Sequence, residues 1–404
     1  MTKRLLGDTQ QAAEILRQGG LSAVPTETVY GLCGNGLDAQ AVEQIYEVKG
    51  RPAVKPLSLM VPSPGSIDRY CRDVPPAAYA LAERFWPGPL TLVLPARTEL
   101  IPDIVRAGGD TIGLRCPDHS LTLKLLRSID FPLAGPSANP SGAPSPRSAE
   151  DVLGFFDGKI DAVLDGGSCS VGVESTILDL SRTPYRILRQ GALPEAELWD
   201  ALRGTLTVIG FTGGTGCGKT TALKVFETYG ALVLDCDTIY HKLTREDEGL
   251  RNALQARFGD VFPFPDGDLD RKKLGAIVFG DDKALQDLNE ITHRFVLRAV
   301  EKQLTDWAVQ GGTVAAIDAI ALLESGLADR CKAVVGVTAD TETRVRRIMA
   351  RDGISEDYAR LRISAQKPNS FFEQHCTHIL RNDYEDPASF QQACKSLFDE
   401  ILGG

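Results

Sequence analysis

The chain has 404 residues, which is longer than a usual single domain and predicts two or three domains. Its formal net charge of −10 argues against a strong, non-specific nucleic-acid binder, because such proteins are normally basic. The nine cysteines include no C-x-x-C pair, which predicts reduced thiols and no zinc ribbon. No run of ~18 apolar residues occurs, which predicts no membrane span. We therefore expect a cytoplasmic protein.

The first part of the chain mixes helices and strands without a regular alternation. The predicted helices cover residues 9–19, 39–48 and 75–85, and the predicted strands cover residues 21–24, 90–94 and 111–115. Gly19 and Gly20 end the first helix, and Pro25 ends the first strand. This order predicts an α/β domain with a twisted mixed sheet.

A Gly-, Pro- and Ser-rich segment follows at residues 135–148. A flexible linker is the usual interpretation of such composition. The segment also contains Asn139 and several prolines, and a strand is predicted after it at residues 162–164. These features favour an ordered loop over a site.

A new series of elements begins near residue 205, after a short predicted helix at residues 195–202. The predicted elements of this series are strand 206–211, helix 219–229, strand 231–235, helices within 241–309, strands 313–317 and 332–337, and helix 341–351. Strands alternating with helices predict a parallel, doubly wound sheet. We therefore expect two α/β domains, at residues 1–200 and 205–404.

Cations and hydroxyls occur at element ends in the N-terminal half. Lys49 and Arg51 follow a helix, Arg115 ends a strand, and Arg189 ends the domain. Together these groups suit an anionic ligand such as a phosphate or a carboxylate. Any one of them alone is more often a surface charge, so the residues by themselves predict only an anion-binding α/β domain.

Several short motifs of this half occur in a recognisable order. They are Pro25-Thr26-x-Thr28-x-Tyr30-Gly31, Lys49-x-Arg51-Pro52, Pro56-Leu57, Trp86-Pro87-Gly88-Pro89-Leu90-Thr91, Arg115-x-Pro117, Pro136-Ser137-Ala138-Asn139-x-Ser141-Gly142, Glu174-Ser175-Thr176 and Arg189-x-Gly191. Over about residues 10–192 the chain resembles the threonylcarbamoyl-AMP synthase family. The resemblance implies that L-threonine, bicarbonate and ATP give threonylcarbamoyl-adenylate and pyrophosphate, for the modification of adenosine 37 in certain tRNAs.

The resemblance also implies roles for particular residues. Those expected to contact threonine or its carbamate are Thr26, Tyr30, Arg115 and Ser175. Those expected to hold the phosphates and ribose of ATP are Lys49, Arg51, Thr111, Ser137, Asn139 and Arg189. No side chain is expected to act as a nucleophile, since positioning and charge neutralisation, assisted by Mg²⁺, can carry adenylation.

The C-terminal half contains a phosphate-binding motif at residues 213–220, which match G-x-x-x-x-G-K-[ST] between an apolar strand and a helix. Glycines let backbone N–H groups surround phosphate oxygens at a helix N-terminus. Lys219 is expected to reach the β- and γ-phosphates and the Thr220 hydroxyl to hold Mg²⁺. The predicted ATP contacts are Gly213, Gly214, Thr215, Gly216, Cys217, Gly218, Lys219, Thr220 and Thr221.

Two carboxylates, Asp235 and Asp237, follow the next predicted strand. Carboxylates at the C-terminal end of a parallel strand face the ligand crevice, where one could accept a proton from an acceptor hydroxyl and one could support a metal. An alternative for either is capping of a helix expected to begin at Thr238.

Further blocks occur after these motifs. They are residues 269–279, Leu288-Asn289-x-Ile291-Thr292-His293, Leu322-Leu323-Glu324-Ser325-Gly326, Arg347, Arg351-Asp352, Arg362 and Gln366. Over about residues 206–400 the chain resembles dephospho-CoA kinase, a P-loop kinase family. The resemblance implies transfer of phosphate from ATP to the ribose 3'-hydroxyl of dephospho-CoA. The family's usual proline before the Leu-Leu-x-Glu block is absent, and Ile320-Ala321 stands there.

The kinase resemblance implies that Lys219 and Asp237 are catalytic, with Asp237 as the general base. Asp235, Arg271 and His293 are expected on the acceptor side. Arg347 and Arg351 lie on a basic predicted helix that could cover the phosphates as a lid, because arginine binds phosphate bidentately.

Taken together, the two resemblances predict a bifunctional enzyme that uses ATP and Mg²⁺. One alternative is that only the N-terminal half is catalytic and the P-loop half senses nucleotides. Another is that the P-loop half phosphorylates a different nucleoside-type acceptor, because a fold does not fix the acceptor. The acidic charge predicts that the adenylate passes to a tRNA threonylcarbamoyl-transfer complex and that the chain itself does not hold tRNA strongly.

Overall fold

The computed structural model describes residues 1–52, 54–263 and 267–403. The chain forms two compact units: residues 1–205 with 309–311 make the N-terminal unit, and residues 206–308 with the chain from 312 onward make the C-terminal unit. Each unit has its own sheet and apolar core. Among the described residues, no helix combines the length and apolar character needed to cross a membrane.

The described part of the N-terminal unit has ten strands and eight α-helices. The strands are β1 (Lys3–Leu6), β2 (Ser22–Val24), β3 (Gly31–Asn35), β4 (Ser58–Met60), β5 (Leu90–Pro95), β6 (Thr111–Arg115), β7 (Leu133–Ala134), β8 (Ala162–Asp165), β9 (Thr176–Asp179) and β10 (Arg186–Arg189). The helices are α1 (Thr9–Arg17), α2 (Ala39–Lys49), α3 (Ile67–Tyr70), α4 (Pro76–Phe85), α5 (Asp103–Arg106), α6 (Ser120–Ser128), α7 (Ala149–Phe156) and α8 (Glu195–Arg203).

These ten strands form one sheet in the order β1-β8-β2-β3-β7-β4-β6-β5-β9-β10. The sheet contains both parallel pairs, such as β4 with β6 and β5 with β9, and antiparallel pairs, such as β5 with β6. The predicted α/β domain with a mixed sheet is therefore confirmed. Strands β4, β6, β5 and β9 are consecutive, so their side chains form one continuous face.

Helix α2 shows how local sequence fixes the position of a cation. The Asp38 carboxylate accepts a hydrogen bond from the Gln40 N–H at 2.9 Å and caps the first turn. Gly50 ends the helix with φ of 56°, a left-handed conformation that glycine adopts at little cost. The helix therefore stops at Lys49, and the chain turns there towards Arg51.

The segment of residues 135–148 is held by backbone hydrogen bonds. The Ala138 N–H donates to the Tyr30 carbonyl at 2.8 Å, and the Tyr30 N–H donates to the Pro146 carbonyl at 2.9 Å. The Ser141 N–H donates to the Lys49 carbonyl at 2.9 Å. These bonds fix the segment as an ordered loop against β3 and α2, in agreement with the prediction.

The described part of the C-terminal unit has five strands and nine α-helices. The strands are β11 (Thr207–Thr212), β12 (Leu232–Asp235), β13 (Val314–Asp318), β14 (Ala333–Thr338) and β15 (His378–Arg381). The helices are α9 (Lys219–Glu227), α10 (Cys236–Glu246), α11 (Glu248–Phe258), α12 (Arg271–Val278), α13 (Asp282–Val309), α14 (Thr341–Asp352), α15 (Glu356–Ser364), α16 (Asn369–His375) and α17 (Pro387–Gly403).

The second sheet has the strand order β12-β13-β11-β14-β15, and every described strand pair in it is parallel. The predicted parallel sheet is therefore confirmed. Phe211 of β11, Phe226 of α9 and Phe398 of α17 pack together in its core, with Phe226 and Phe398 in a T-shaped contact at 4.9 Å between centroids. This packing joins β11, α9 and α17 in one core, and the Gly-rich loop connects β11 to α9.

Candidate functional sites

A cavity of about 290 Å³ opens over strands β4, β6, β5 and β9 of the N-terminal unit; we call it the N-terminal cavity. Thr111, Gly113 and Arg115 alternate along β6 and so share the face that lines it. A Cβ atom at Gly113 would lie 3.2 Å from Ser58 and from Thr91, so glycine keeps the floor open. The predicted site residues that line the cavity are Arg51, Thr111, Arg115, Ser137, Ser175 and Arg189.

Arg189 is fixed at the edge of this cavity by Ser175. Its Nε and Nη2 atoms donate to the Ser175 carbonyl at 3.1 and 2.8 Å, and Nη2 also donates to Ser175 Oγ at 3.2 Å. Ser175 Oγ in turn lies 2.8 Å from Thr91 Oγ1. Arg189 is exposed as a whole, but partial burial of its guanidinium removes water from the charged group and lowers its pKa. The network therefore places a cation and two hydroxyls in the lining of one cavity.

Lys49 and Asn139 lie outside the lining, in the support of the loop. The Lys49 ammonium donates to the carbonyls of Ser137 and Asn139, and the side chain is 3% exposed. Burial, followed by the charge of Arg51, lowers the pKa of Lys49 to about 8. The Asn139 amide donates to the Pro140 carbonyl at 3.1 Å and also bonds the Ala143 carbonyl. Direct contact of these two residues with ATP stays a prediction.

The structure also keeps Thr26 and Tyr30 away from the cavity lining. Thr26 Oγ1 donates to the Val29 carbonyl at 2.6 Å and accepts from the Val29 N–H at 3.1 Å, so it closes a turn. The Tyr30 hydroxyl donates to the Gly167 carbonyl at 2.7 Å, and burial raises its pKa to about 12. Their predicted contact with threonine stays a prediction.

Sequence reasoning missed two carboxylates of this site. Glu27 Oε1 lies 2.7 Å from Arg115 Nη2, with both side chains under 10% exposed, and Glu27 Oε2 accepts from the Asp118 N–H at 3.0 Å. Glu174 lines the cavity, and a hydrogen bond from the Ser145 hydroxyl at 2.6 Å lowers its pKa. Both carboxylates lie within motifs quoted for the family resemblance, at residues 25–31 and 174–176, and this position could have indicated that they belong to the site.

In the C-terminal unit the loop between β11 and α9 surrounds a second cavity, of about 330 Å³, which we call the P-loop cavity. Gly213 has φ of 145°, and a Cβ there would lie 2.3 Å from the Val337 carbonyl oxygen, so only glycine fits. The predicted residues that line the cavity are Gly213, Gly214, Thr215, Gly216, Gly218, Lys219 and Thr220. Cys217 is buried and Thr221 lies outside the lining, so neither side chain faces the cavity.

Helix α14 supports this loop through arginines. Arg344 is 3% exposed, and its Nε donates to the Thr215 carbonyl at 2.9 Å. Gln366 Oε1 accepts from the Thr215 N–H at 2.9 Å and from Arg344 Nη2 at 2.8 Å. Sequence reasoning did not single out Arg344. In the sequence it is one of several arginines on a basic helix and cannot be told apart from Arg346, which is exposed.

The two predicted lid residues line the P-loop cavity. Arg347 Nη1 donates to the Asn382 carbonyl at 3.1 Å, and Asn382 Nδ2 donates to the Cys217 carbonyl at 2.8 Å. Arg351 is exposed; its Nε donates to Asp352 at 2.7 Å and its Nη2 to Thr215 Oγ1 at 3.3 Å. Both guanidinium groups therefore lie at the loop that is expected to hold phosphates.

Lys219 forms an ion pair with Asp318, another residue that sequence reasoning missed. Asp318 ends β13 and is the register partner of Asp235 at the end of β12. Burial raises the pKa of Asp318, and Lys219 opposes that shift. The available signal was a carboxylate directly after an apolar strand.

Asp235 and Asp237 have different environments. Asp235 caps α10 by accepting from the N–H groups of Asp237 at 2.9 Å and Thr238 at 3.2 Å. The capping alternative thus applies to Asp235, with the helix beginning at Cys236 instead of Thr238. Asp237 lines a third cavity, of about 250 Å³, which we call the Asp237 cavity.

The Asp237 cavity is mostly apolar, with a few polar groups. Tyr240, Val296 and Ile320 contribute apolar surface, and His293 lies in the lining with its pKa lowered by burial. Arg271 is not in the lining: its Nη2 lies 2.9 Å from His241 Nδ1. A role of Arg271 in acceptor binding stays a prediction.

Comparisons with known proteins find similarity to two families. Residues 14–191 match the Sua5_yciO_yrdC family model, described as "Telomere recombination". Residues 207–387 match the CoaE family model, described as "Dephospho-CoA kinase". A solved structure, of P. abyssi Sua5 complexed with L-threonine, aligns with a TM-score of 0.48 at 28% identity, covering 84% of this chain and 100% of that chain.

Curated relatives fall into two groups. Threonylcarbamoyl-AMP synthase of Pyrococcus abyssi is 49% identical over 187 residues, 46% of this chain and 55% of that protein, so the chain spans about half of its length. A putative threonylcarbamoyl-AMP synthase of Mycobacterium tuberculosis H37Rv is 34% identical over 191 residues, 47% of this chain and 87% of that protein. Dephospho-CoA kinase of Geobacter sulfurreducens is 39% identical over 163 residues, 40% of this chain and 83% of that protein. The N-terminal half of this chain therefore belongs to the threonylcarbamoyl-AMP synthase family, and its C-terminal half belongs to the dephospho-CoA kinase family.

Proposed function

We propose that the chain is a bifunctional enzyme that forms threonylcarbamoyl-AMP in its N-terminal unit and phosphorylates the 3'-hydroxyl of dephospho-CoA in its C-terminal unit. The observation that carries the proposal is the presence of two separate cation-lined cavities, one around Arg51, Arg115 and Arg189 and one around Lys219. Each suits a triphosphate, because guanidinium and ammonium groups neutralise phosphate charge.

In the C-terminal unit, the phosphates of ATP lie in the P-loop cavity and the acceptor lies in the Asp237 cavity. The acceptor oxygen bonds to the γ-phosphorus, the bond from that phosphorus to the β–γ bridging oxygen breaks, and ADP leaves. The Asp237 carboxylate accepts the proton of the acceptor hydroxyl. Lys219 exchanges its contact with Asp318 for the phosphates.

Mg²⁺ fits the donor chemistry beside these phosphates. The Thr220 hydroxyl lines the P-loop cavity, and hydroxyl and phosphate oxygens are the hard ligands that Mg²⁺ prefers. Thr220 would hold the ion, which would neutralise charge on the β- and γ-phosphates.

In the N-terminal unit, the three arginines orient ATP and the carbamate that forms when the L-threonine amine bonds to the carbon of bicarbonate and water leaves. A carbamate oxygen bonds to the α-phosphorus, the bond from that phosphorus to the α–β bridging oxygen breaks, and pyrophosphate leaves. Ser137, Ser175 and Thr111 supply hydroxyls to the same cavity. Fixed donors of this kind lower the barrier because they need no reorganisation during the reaction.

The adenylate passes to a tRNA threonylcarbamoyl-transfer complex in the cytoplasm. The chain's net charge of −10 supports transfer to such a partner over strong binding of tRNA by the chain itself. Tight tRNA binding by the purified chain that weakens steeply with salt would contradict this part of the proposal.

The testing experiment divides one incubation of the full chain with Mg-ATP into two portions. One portion receives dephospho-CoA and is assayed for CoA and ADP. The other receives L-threonine and bicarbonate and is assayed for pyrophosphate and threonylcarbamoyl-AMP. We expect product in both. Product in the second portion alone would reject the dephospho-CoA assignment and favour a nucleotide sensor or a kinase for another nucleoside.

A further inference from the structure

Ile320 lies between the two cavities of the C-terminal unit. It lines both the P-loop cavity and the Asp237 cavity, and it is 59% exposed. Its neighbours Ala319 and Ala321 line the Asp237 cavity only. The Ile320 side chain is therefore placed where phosphate and acceptor would meet.

The backbone around Ile320 is held against the start of the P-loop. The Thr212 hydroxyl donates to the Ile320 carbonyl at 3.2 Å, and the Ala319 N–H donates to the Phe211 carbonyl at 3.2 Å. Phe211 and Thr212 end β11, and the Gly-rich loop starts at Gly213. Because both bonds tie the turn to β11, the backbone at Ile320 is held beside the start of the Gly-rich loop.

A phosphotransferase has to favour its acceptor over water. A water oxygen can attack the same γ-phosphorus, break the same bond to the β–γ bridging oxygen and release ADP with inorganic phosphate. Water is abundant, so an enzyme suppresses this reaction by keeping water molecules away from the position from which they would attack the γ-phosphorus. An apolar side chain does so because it offers a water molecule no hydrogen bond.

We propose that Ile320 is a specificity-determining residue that separates the phosphate from bulk water, so that phosphate passes to the acceptor hydroxyl and not to water. This inference rests on the phosphotransferase activity proposed above. Ile320 takes no proton and holds no phosphate oxygen. Its effect is on the ratio of hydrolysis to transfer.

The test compares Ile320→Thr with Ile320→Val in the full chain. Valine and threonine have nearly the same volume and differ by a hydroxyl in place of a methyl, so the volume lost from Ile320 is the same in both variants. We expect Ile320→Thr to raise ATP hydrolysis without acceptor on the order of tenfold and to raise the ratio of ADP to CoA when dephospho-CoA is present. Ile320→Val should retain the low hydrolysis of the natural chain.

Two further variants calibrate the measurement. Phe279 is 87% exposed and lines neither cavity, so Phe279→Ser should leave hydrolysis unchanged. Lys219→Ala should remove the hydrolysis that the P-loop supports. Equal hydrolysis by the Thr and Val variants would overturn the proposal. If the natural chain makes no CoA, the acceptor assignment fails, while the acceptor-free comparison still decides the role of Ile320.

Discussion

The two units present cations to a ligand by different means. In the C-terminal unit, one continuous segment supplies backbone N–H groups, a lysine and a hydroxyl, and its Gly213, Gly216 and Gly218 have positive φ angles that other residues rarely adopt. In the N-terminal unit, Arg51 comes from the loop after α2, Arg115 from β6 and Arg189 from β10, and they meet only through the tertiary fold. The first site depends on local backbone geometry, and the second depends on side chains that tertiary contacts hold in place.

The largest expected effect is on phosphoryl transfer at the P-loop cavity. Lys219→Ala should lower phosphoryl transfer about 10³-fold, because it removes the positive charge that stabilises the negative charge developing on the phosphate in the transition state. Formation of threonylcarbamoyl-AMP should be unchanged, as measured in the divided incubation. Lys224→Ala, on the exposed face of the same helix, is the control. Loss of both activities in a folded Lys219→Ala protein would contradict two independent sites.

The matching change in the N-terminal unit is Arg189→Ala. We expect it to lower formation of threonylcarbamoyl-AMP about 10²-fold, less than the first change because Arg51 and Arg115 remain in the cavity. Transfer to dephospho-CoA should not change. Arg186 is exposed on the same strand and does not line the cavity, so Arg186→Ala is a control of the same charge. If both arginine variants lose activity equally, the cavity is not the site.

Lys49 makes stability depend on pH in the N-terminal unit. Burial and the charge of Arg51 lower its pKa to about 8 in the folded state, below the value of about 10.4 in an unfolded chain. Between these values the unfolded chain binds more protons, so the free energy of unfolding rises as pH rises through this window.

Lys49→Met should lack this rise, which we expect to be about 2 kcal/mol. Urea unfolding of both proteins between about pH 7.5 and pH 10 measures the difference between their free energies of unfolding. A difference that is constant over this range would show that Lys49 titrates normally.

The smallest effect concerns the support of the P-loop. Arg344→Ala removes the hydrogen bonds to the Thr215 carbonyl and to Gln366, so the loop loses part of its preformed shape. We expect KM for ATP to rise about tenfold, with a smaller change in kcat. The exposed Arg346, two residues along α14, provides the control Arg346→Ala. An equal change in both variants would mean that net charge, and not the loop contact, is responsible.

Much of the fold was predictable because its signals are local. The strand before the Gly-rich loop, the helix after it and the parallel order of the second sheet follow from apolar runs alternating with helical patterns. The edge strand β15 and helices α15 to α17 were not predicted. Helix α15 buries only Ala359 and leaves Leu361 62% exposed, so its few apolar residues form no continuous stripe by which to recognise it.

The sequence alone determined the nucleotide loop of this protein, because a strand, a run of glycines and a helix start specify phosphate-binding backbone geometry without help from distant residues. It also indicated both families, through motifs that stay intact as short segments. Only the tertiary structure decided that Asp318 pairs with Lys219, that Arg344 supports Thr215 and that Glu27 pairs with Arg115. Each of these contacts joins residues far apart in the chain, and their meeting depends on strand order and packing, which no local pattern encodes.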